Sequence, residues 1–333
     1  MNLIKIIDAL AKADPEVYAR LDSRRRVFRH LSGWGKAASA AALPAVVGTL
    51  FNKAYGQGST TRLLPGVADV LNLALQLEYL EYHFYNQALA ASNLLNAADR
   101  PAIEAIRNDE SGHVKTLRAA LGTQAFSASD PTVAAFDFTA GGRFADVFTN
   151  AATFYAVAQS FEDTGVRAYK GAAPLTNVMA NKTVLTAALN IHSVEARHAS
   201  HIRSMRRAGS PLTQSTPSMG VPASPYDSAP KSWVSGTDNG GAAAPATSGI
   251  YGAGNDSGAA TYGASAQTGS AAGVTFPAES NTTQGGVPLS TSTSTTFSGF
   301  PAAAFSEAFD EGLDVGTVTA IAKLFVRSGF SVF

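Results

Sequence analysis

Between about residue 65 and residue 209, apolar positions recur at helical spacing, and four segments predict long helices. The first is "VADVLNLALQLEYLEYHFYNQALAAS" (67–92), which has no internal proline or glycine. The second, "DRPAIEAIRNDESGHVKTLRAALG" (99–122), opens on Asp99 as a candidate cap with Pro101 in its first turn and stops at Gly122. A loop of Ser, Asp, Pro, Thr and Gly follows over about 123–142. The third helix is expected over 143–171. The fourth is expected over 181–209, with Asn181 as its cap and basic residues in its last turns, where they complement the helix dipole. Two helical hairpins joined by a longer connection predict an all-α four-helix bundle with one crossover.

The pattern changes at Ser210. Residues 210–299 are mostly Ser, Thr, Gly, Ala and Pro, a composition that cannot bury a core of its own. Trp233, Tyr251, Tyr262 and Phe276 are the side chains available to pin this extension to the bundle, and partial order is expected. Within the last segment, 300–333, "AFDEGLDVGTVTAIAKLFVRSGF" (308–330) is amphipathic again. Leu313, Val318, Ile321, Leu324 and Phe325 would form the docking face of a short C-terminal helix.

Charge narrows the function classes. The chain has 25 basic and 25 acidic residues, so no overall field favours nucleic acid. It has no cysteine, which excludes disulfides, thiolate catalysis and Cys-ligated metals. The absence of thiols suits an oxidising compartment or oxidant chemistry without selecting either. Any metal must be held by oxygen and imidazole nitrogen.

Residues 1–56 read as a targeting segment. "SRRRVF" (23–28) contains Arg25-Arg26-x-Phe28, similar to a twin-arginine export signal. A moderately apolar run, Leu31 to Phe51, follows, and Ala54 and Gly56 are small residues placed for cleavage. The expected destination is the periplasm or the exterior, with no stable membrane anchor, because the run is rich in small residues and barely long enough to span. The alternative is an amphipathic N-terminal helix with a basic end, which Pro15 and the long stretch before the arginines fit.

Two stretches carry the chemistry. "NDESGHV" (108–114) holds Glu110 and His113, and "SVEARHASH" (193–201) holds Glu195 and His198. Each pair follows a helix with a glutamate and a tyrosine seven residues apart: Glu78 and Tyr85, then Glu162 and Tyr169. Glu78 to Glu110 is 32 residues and Glu162 to Glu195 is 33, an internal repeat at the level of a helix pair. Residues i and i+3 lie about 60° apart on a helix, so one Glu-x-x-His pair can reach one metal, and i+7 returns to nearly the same azimuth. In an antiparallel bundle the four stripes bring four carboxylates and two imidazoles to a central cavity. Four buried carboxylates without countercharge would repel, and two divalent cations would neutralise them.

Competing assignments are open at several positions. Glu81 lies one turn beyond Glu78 and could replace it, although the matched Glu–Tyr separations favour Glu78. Asp163 is expected to be a solvated charge on another face. His201 is expected to be exposed or to cap the site, and His192 and His83 to make ordinary contacts. The tyrosines could be core residues. A single Glu-x-x-His is common on solvated helices; two copies with matched upstream residues are not.

With "ALQLEYLEYHFY" and "NDESGHV", residues 65–208 resemble the ferritin-like superfamily of di-iron and di-manganese carboxylate bundles, and within it the exported bacterial ferritin-like proteins called desiccation-related. The resemblance implies that Glu78 and Glu162 each bind mainly one metal, that Glu110 and Glu195 bridge the pair, and that His113 and His198 each cap one metal. It implies a supporting role for Asp109, which would fix an imidazole tautomer, and for Tyr85 and Tyr169 as donors to carboxylates or redox-active groups. Two iron or two manganese ions are the expected cofactor, and zinc could also enter. The leading expectation is an oxidase or peroxide-consuming enzyme acting on O2 or peroxide. The alternative is a metal-stabilised structural or stress-protective protein without turnover. Ferroxidase-linked iron storage and a manganese-catalase-like activity rank lower. Oligomer formation stays open.

Overall fold

The computed structural model describes residues 65–207, 231–238, 241, 245–254, 275–289, 302–330 and 332–333. The twin-arginine-like stretch, the Leu31–Phe51 run, the expected cleavage site and Tyr262 lie outside the described residues. Among those described, no helix is long and apolar enough to cross a membrane.

The expected four-helix bundle is present. Helix α1 spans Pro65–Ala90, α2 Arg100–Leu121, α3 Ala151–Ala172, the short α4 Thr176–Ala180 and α5 Lys182–Arg207. α1 pairs chiefly with α2, and α3 with α5, as two hairpins. Pro65 opens α1, where its missing N–H would be unpaired in any case. The α2 stop at Gly122 holds: its φ of 53° is a left-handed value that glycine adopts without strain.

Two cap assignments diverge. Asn181 does accept a hydrogen bond from the Val184 N–H at 3.2 Å. Asp99 makes no side-chain cap bond. Its carboxylate is buried and accepts instead from the Tyr155 hydroxyl at 2.8 Å and the Asn96 amide at 2.7 Å. The third helix also starts later than the pattern predicts. Residues 143–150 turn rather than wind, and Asn150, with extended backbone, caps α3 by accepting from the Ala152 N–H at 3.0 Å. Phe144 and Val147 face the core from this turn, which is why the apolar periodicity runs on before the helix begins.

The crossover between α2 and α3 is irregular but tied down. Asn72 clamps it, donating to Gln124 O at 2.9 Å and accepting from the Phe126 N–H at 2.7 Å. Farther along, the Asp137 N–H donates to Phe325 O at 2.8 Å and the Arg327 N–H to Ala135 O at 3.0 Å, joining the crossover to the C-terminal segment.

The described parts of the extension are built into the core. Helix α6 (Ala302–Ser306), helix α7 (Val315–Lys323) and a two-stranded turn, β1 (Thr283–Gln284) with β2 (Val287–Pro288), are its regular elements. Tyr251 and Phe276 are buried as expected, whereas Trp233 is 53% exposed and pins little apolar surface. Leu313, Val318 and Phe325 of the expected docking face are buried; Ile321 and Leu324 are half-buried. The contact with α3 is backbone to backbone. A Cβ on Gly171 would stand 2.0 Å from Leu313 O, so only glycine permits this approach.

Arg167 on α3 anchors the extension. It is 1% exposed, and its three nitrogens donate to the carbonyls of Ile250, Gly252, Pro277, Glu311 and Gly312. Its Nε also lies 2.8 Å from the Glu279 carboxylate. The expectation that Asp163 is a solvated charge is wrong. Asp163 is 1% exposed, forked by Arg203 of α5 and hydrogen-bonded by the Tyr251 hydroxyl at 2.7 Å. Its face of α3 is covered by the extension, which a reading of the bundle alone leaves open to water.

Candidate metal centre

The helical repeat delivers its side chains to one level of the bundle. Glu78 comes from α1, Glu110 from α2, Glu162 from α3 and Glu195 from α5, and all four are 0% exposed. His113 and His198 lie one turn past the second and fourth, with side chains only 11% and 7% exposed. His113 Nδ1 stands 2.9 Å from Glu78, 2.9 Å from Glu110 and 3.3 Å from Glu195. His198 Nδ1 stands 2.9 Å from Glu110 and 3.3 Å from Glu162. Two overlapping sets result: Glu78, Glu110, His113 and Glu195, and Glu110, Glu162, Glu195 and His198, each offering ligand atoms within 4.8 Å of one another. Glu110 and Glu195 belong to both.

The tyrosines cross over. Tyr85 on α1 donates to Glu162 Oε1 on α3, and Tyr169 on α3 donates to Glu78 Oε1 on α1. Each is therefore paired with the carboxylate of the other hairpin, a reciprocity that requires α1 and α3 to run antiparallel. Asp109 meets His198 Nε2 at 3.2 Å.

Glu81 is also buried and faces the cluster, but it belongs to neither ligand set. The equivalent position on α3 is Gly165, where a Cβ would lie 2.7 Å from Glu195 Oε2. The repeat thus holds at the ligands and breaks one turn later. A mid-helix glycine three residues after Glu162 was the available signal for this close approach. Of the remaining histidines, His201 is exposed, His192 meets Val166 O at 3.0 Å and His83 meets Pro131 O at 2.9 Å.

Electrostatics distinguishes this cluster from an ordinary buried ion pair. Burial pushes Glu78 up to about 7 against the pull of His113. Burial also drives Glu195 and Glu81 far up, with neighbouring carboxylates adding to the shift. Burial alone would lower His113, but Glu78 and Glu110 outweigh it and carry the imidazole up to about 10. Glu110 sits between both imidazoles, which overcome its burial and hold it below the usual carboxylate range. The metal-free cluster therefore shares protons among groups that compete for them.

Even so, it leaves buried polar atoms without hydrogen bonds. Glu110 Oε1, Glu162 Oε2, both Glu195 oxygens and His198 Nδ1 have none; His113 Nδ1 is hydrogen-bonded to Glu78 and Glu110, whereas the short approaches of His198 Nδ1 to Glu110 and Glu162 lack hydrogen-bond alignment. Buried polar atoms are normally paired, and these converge on one place. Among the described residues, no lysine or arginine ion-pairs with the four carboxylates of the ligand sets. A divalent cation in each set fits them, since carboxylate oxygens and imidazole Nδ1 are its natural donors.

The class is thus an antiparallel four-helix bundle with a buried, metal-competent Glu/His centre built from two copies of one helix pair. Residues 66–208 match the family model for the ferritin-like domain, and this bundle is a ferritin-like domain. No curated protein and no solved structure matches the chain significantly.

Proposed function

We propose that Glu78, Glu110, His113, Glu162, Glu195 and His198 hold two ions of iron or manganese, and that the loaded centre reduces O2 or peroxide. The observation that carries this reading is the set of buried carboxylate oxygens and imidazole nitrogen that converge without hydrogen-bond partners. Glu78 and Glu162 would each serve one ion, and Glu110 and Glu195, common to both sets, would bridge. Two such ions would supply paired one-electron oxidations beside an open coordination position.

The chain's own groups prepare that chemistry. Tyr85 and Tyr169 occupy one oxygen of Glu162 and of Glu78, which orients the other oxygen inward. Asp109 accepts the Nε2 proton of His198, so that the Nδ1 lone pair faces the centre. Four-helix packing keeps bulk water away from all four carboxylates. The Arg25-Arg26-x-Phe28 stretch supports export as the setting.

Anaerobic titration with Fe(II) or Mn(II), metal analysis, and then O2 or peroxide consumption tests the reading. Two ions per chain and oxidant turnover are expected; full loading without turnover removes the oxidase. The complete burial of the four glutamates favours the second reading, a metal-stabilised protein of protective rather than catalytic role, which predicts loading and a raised melting temperature alone.

A further inference from the structure

Beyond the centre, the two tyrosines sit in unlike surroundings. At the Tyr85 end, aromatic rings fill the space. Phe84 lies 5.3 Å from Tyr85 and 5.1 Å from Phe154, and Phe154 lies 6.2 Å from Tyr85 and 5.0 Å from Tyr155. At the opposite end, beside Tyr169, α1, α3, α4 and α5 leave a cavity of about 30 Å³. Leu71, Ala74, Leu77, Ala168 and Ala172 line it with Tyr169, and the rest of the wall is valine, leucine and alanine.

The walls decide what can enter. A water needs two to four polar partners, and among the described residues the only polar side chain in the wall, the Tyr169 phenol, already donates to Glu78. The volume exceeds that of one water-sized sphere and is far below that of an organic metabolite. Ala168 and Ala172 are half-buried, so the outer wall is thin there. The inner wall is Leu77 and Tyr169, one adjacent in sequence to Glu78 and the other bonded to it.

We propose that this cavity is a dry binding pocket for a small apolar gas, and that O2 reaches the centre through it. The delivery role rests on the oxidase reading above; the binding role does not. Peroxide, which is polar and needs hydrogen-bonding partners, would take another route.

Xenon is the probe. Metal-free protein is crystallised and pressurised with xenon, and 129Xe NMR follows binding in solution. One xenon atom in contact with Leu77 and Tyr169 is expected. Ala168→Leu, with Ala172→Leu as a second filling variant, should lose it while keeping the wild-type circular dichroism. In Fe(II)-loaded protein these variants should slow oxidation by O2 several-fold and leave oxidation by peroxide unchanged. An empty cavity in pressurised wild-type protein overturns the proposal. Loss of xenon without slower O2 oxidation overturns the delivery role. Xenon bound in a protein that consumes no oxidant once loaded upholds the pocket and removes the oxidase reading instead.

Discussion

Glu162 and Asp163 are neighbours on α3, turned about 100° apart, and each sits in a buried cluster of charge. On the Asp163 side, two carboxylates face Arg203, whose three nitrogens donate to Asp163, Asp238 and Trp233 O at 2.5–3.1 Å. The chain supplies opposite charge, and it supplies hydrogen bonds to every carboxylate oxygen except Asp238 Oδ1. On the Glu162 side, five carboxylates including Glu81 face two imidazoles, and several ligand atoms stay unpaired. Burial of charge is common to both. What separates the ion network from the metal-competent cluster is an opposing guanidinium, against five ligand atoms left unpaired in one place.

Metal loading should show the largest contrast. Free ion at about a thousand times its dissociation constant raises stability by about 4 kcal/mol, and chelator removes that gain. Glu110→Ala combined with Glu195→Ala should abolish binding of both ions by metal analysis, because these two residues are common to both sets. A melting temperature that ignores metal in the wild type would place the Glu162 cluster in the same category as the Asp163 cluster.

Arg203→Met should cost about 3–5 kcal/mol in chemical denaturation, since it leaves Asp163 and Asp238 buried without the guanidinium that ion-pairs with both. Metal stoichiometry should not change. Loss of metal from a folded Arg203→Met protein would show that the two clusters are one coupled system.

The convergence of the six side chains was legible in the sequence because helix periodicity fixes the relative azimuth of residues three and seven apart, and the chain states that spacing twice. The Asp163 cluster was not. Arg167 bonds to carbonyls of Ile250, Gly252, Pro277, Glu311 and Gly312, groups that every residue carries and that no side-chain pattern marks. Asp163 is joined to Asp238 through Arg203 and through Tyr251 and Gln159, and Asp238 lies in a stretch whose composition suggests no core. The Gly171–Leu313 approach is likewise set by backbone shape. Helix-borne chemistry was legible; chemistry borne by loop backbone was not.

A pH series sharpens the contrast further. In metal-free protein the raised His113 contributes stability that is complete below 6.5 and lost as pH rises through about 10. The raised Glu78 contributes stability that is complete below 4.5 and lost as pH rises through about 7. The lowered Glu110 acts with the opposite sign, but only below 4.5. The centre's contribution to metal-free stability should therefore fall from about pH 4.5 to 10. Metal needs neutral imidazole and ionised carboxylate, so affinity should rise over the same range, with protons released on binding. Calorimetry in buffers of different ionisation enthalpy reads that release; binding without proton release would contradict the assignment of His113 as a ligand.

The smallest expected effect tests the symmetry within the centre. His198 Nε2 meets Asp109, the residue before Glu110. The matching position before Glu195 is Val194, so the repeat supplies no such carboxylate to His113. Asp109 is half exposed, and its charge acts on one imidazole only. Asp109→Asn should weaken one of the two ions by about tenfold, the low end for loss of a group that orients a metal-bound histidine, and leave the other unchanged. A titration that turns from one phase into two would show it. Equal weakening of both ions would mean that Asp109 acts on the centre as a distant charge rather than through the orientation of His198.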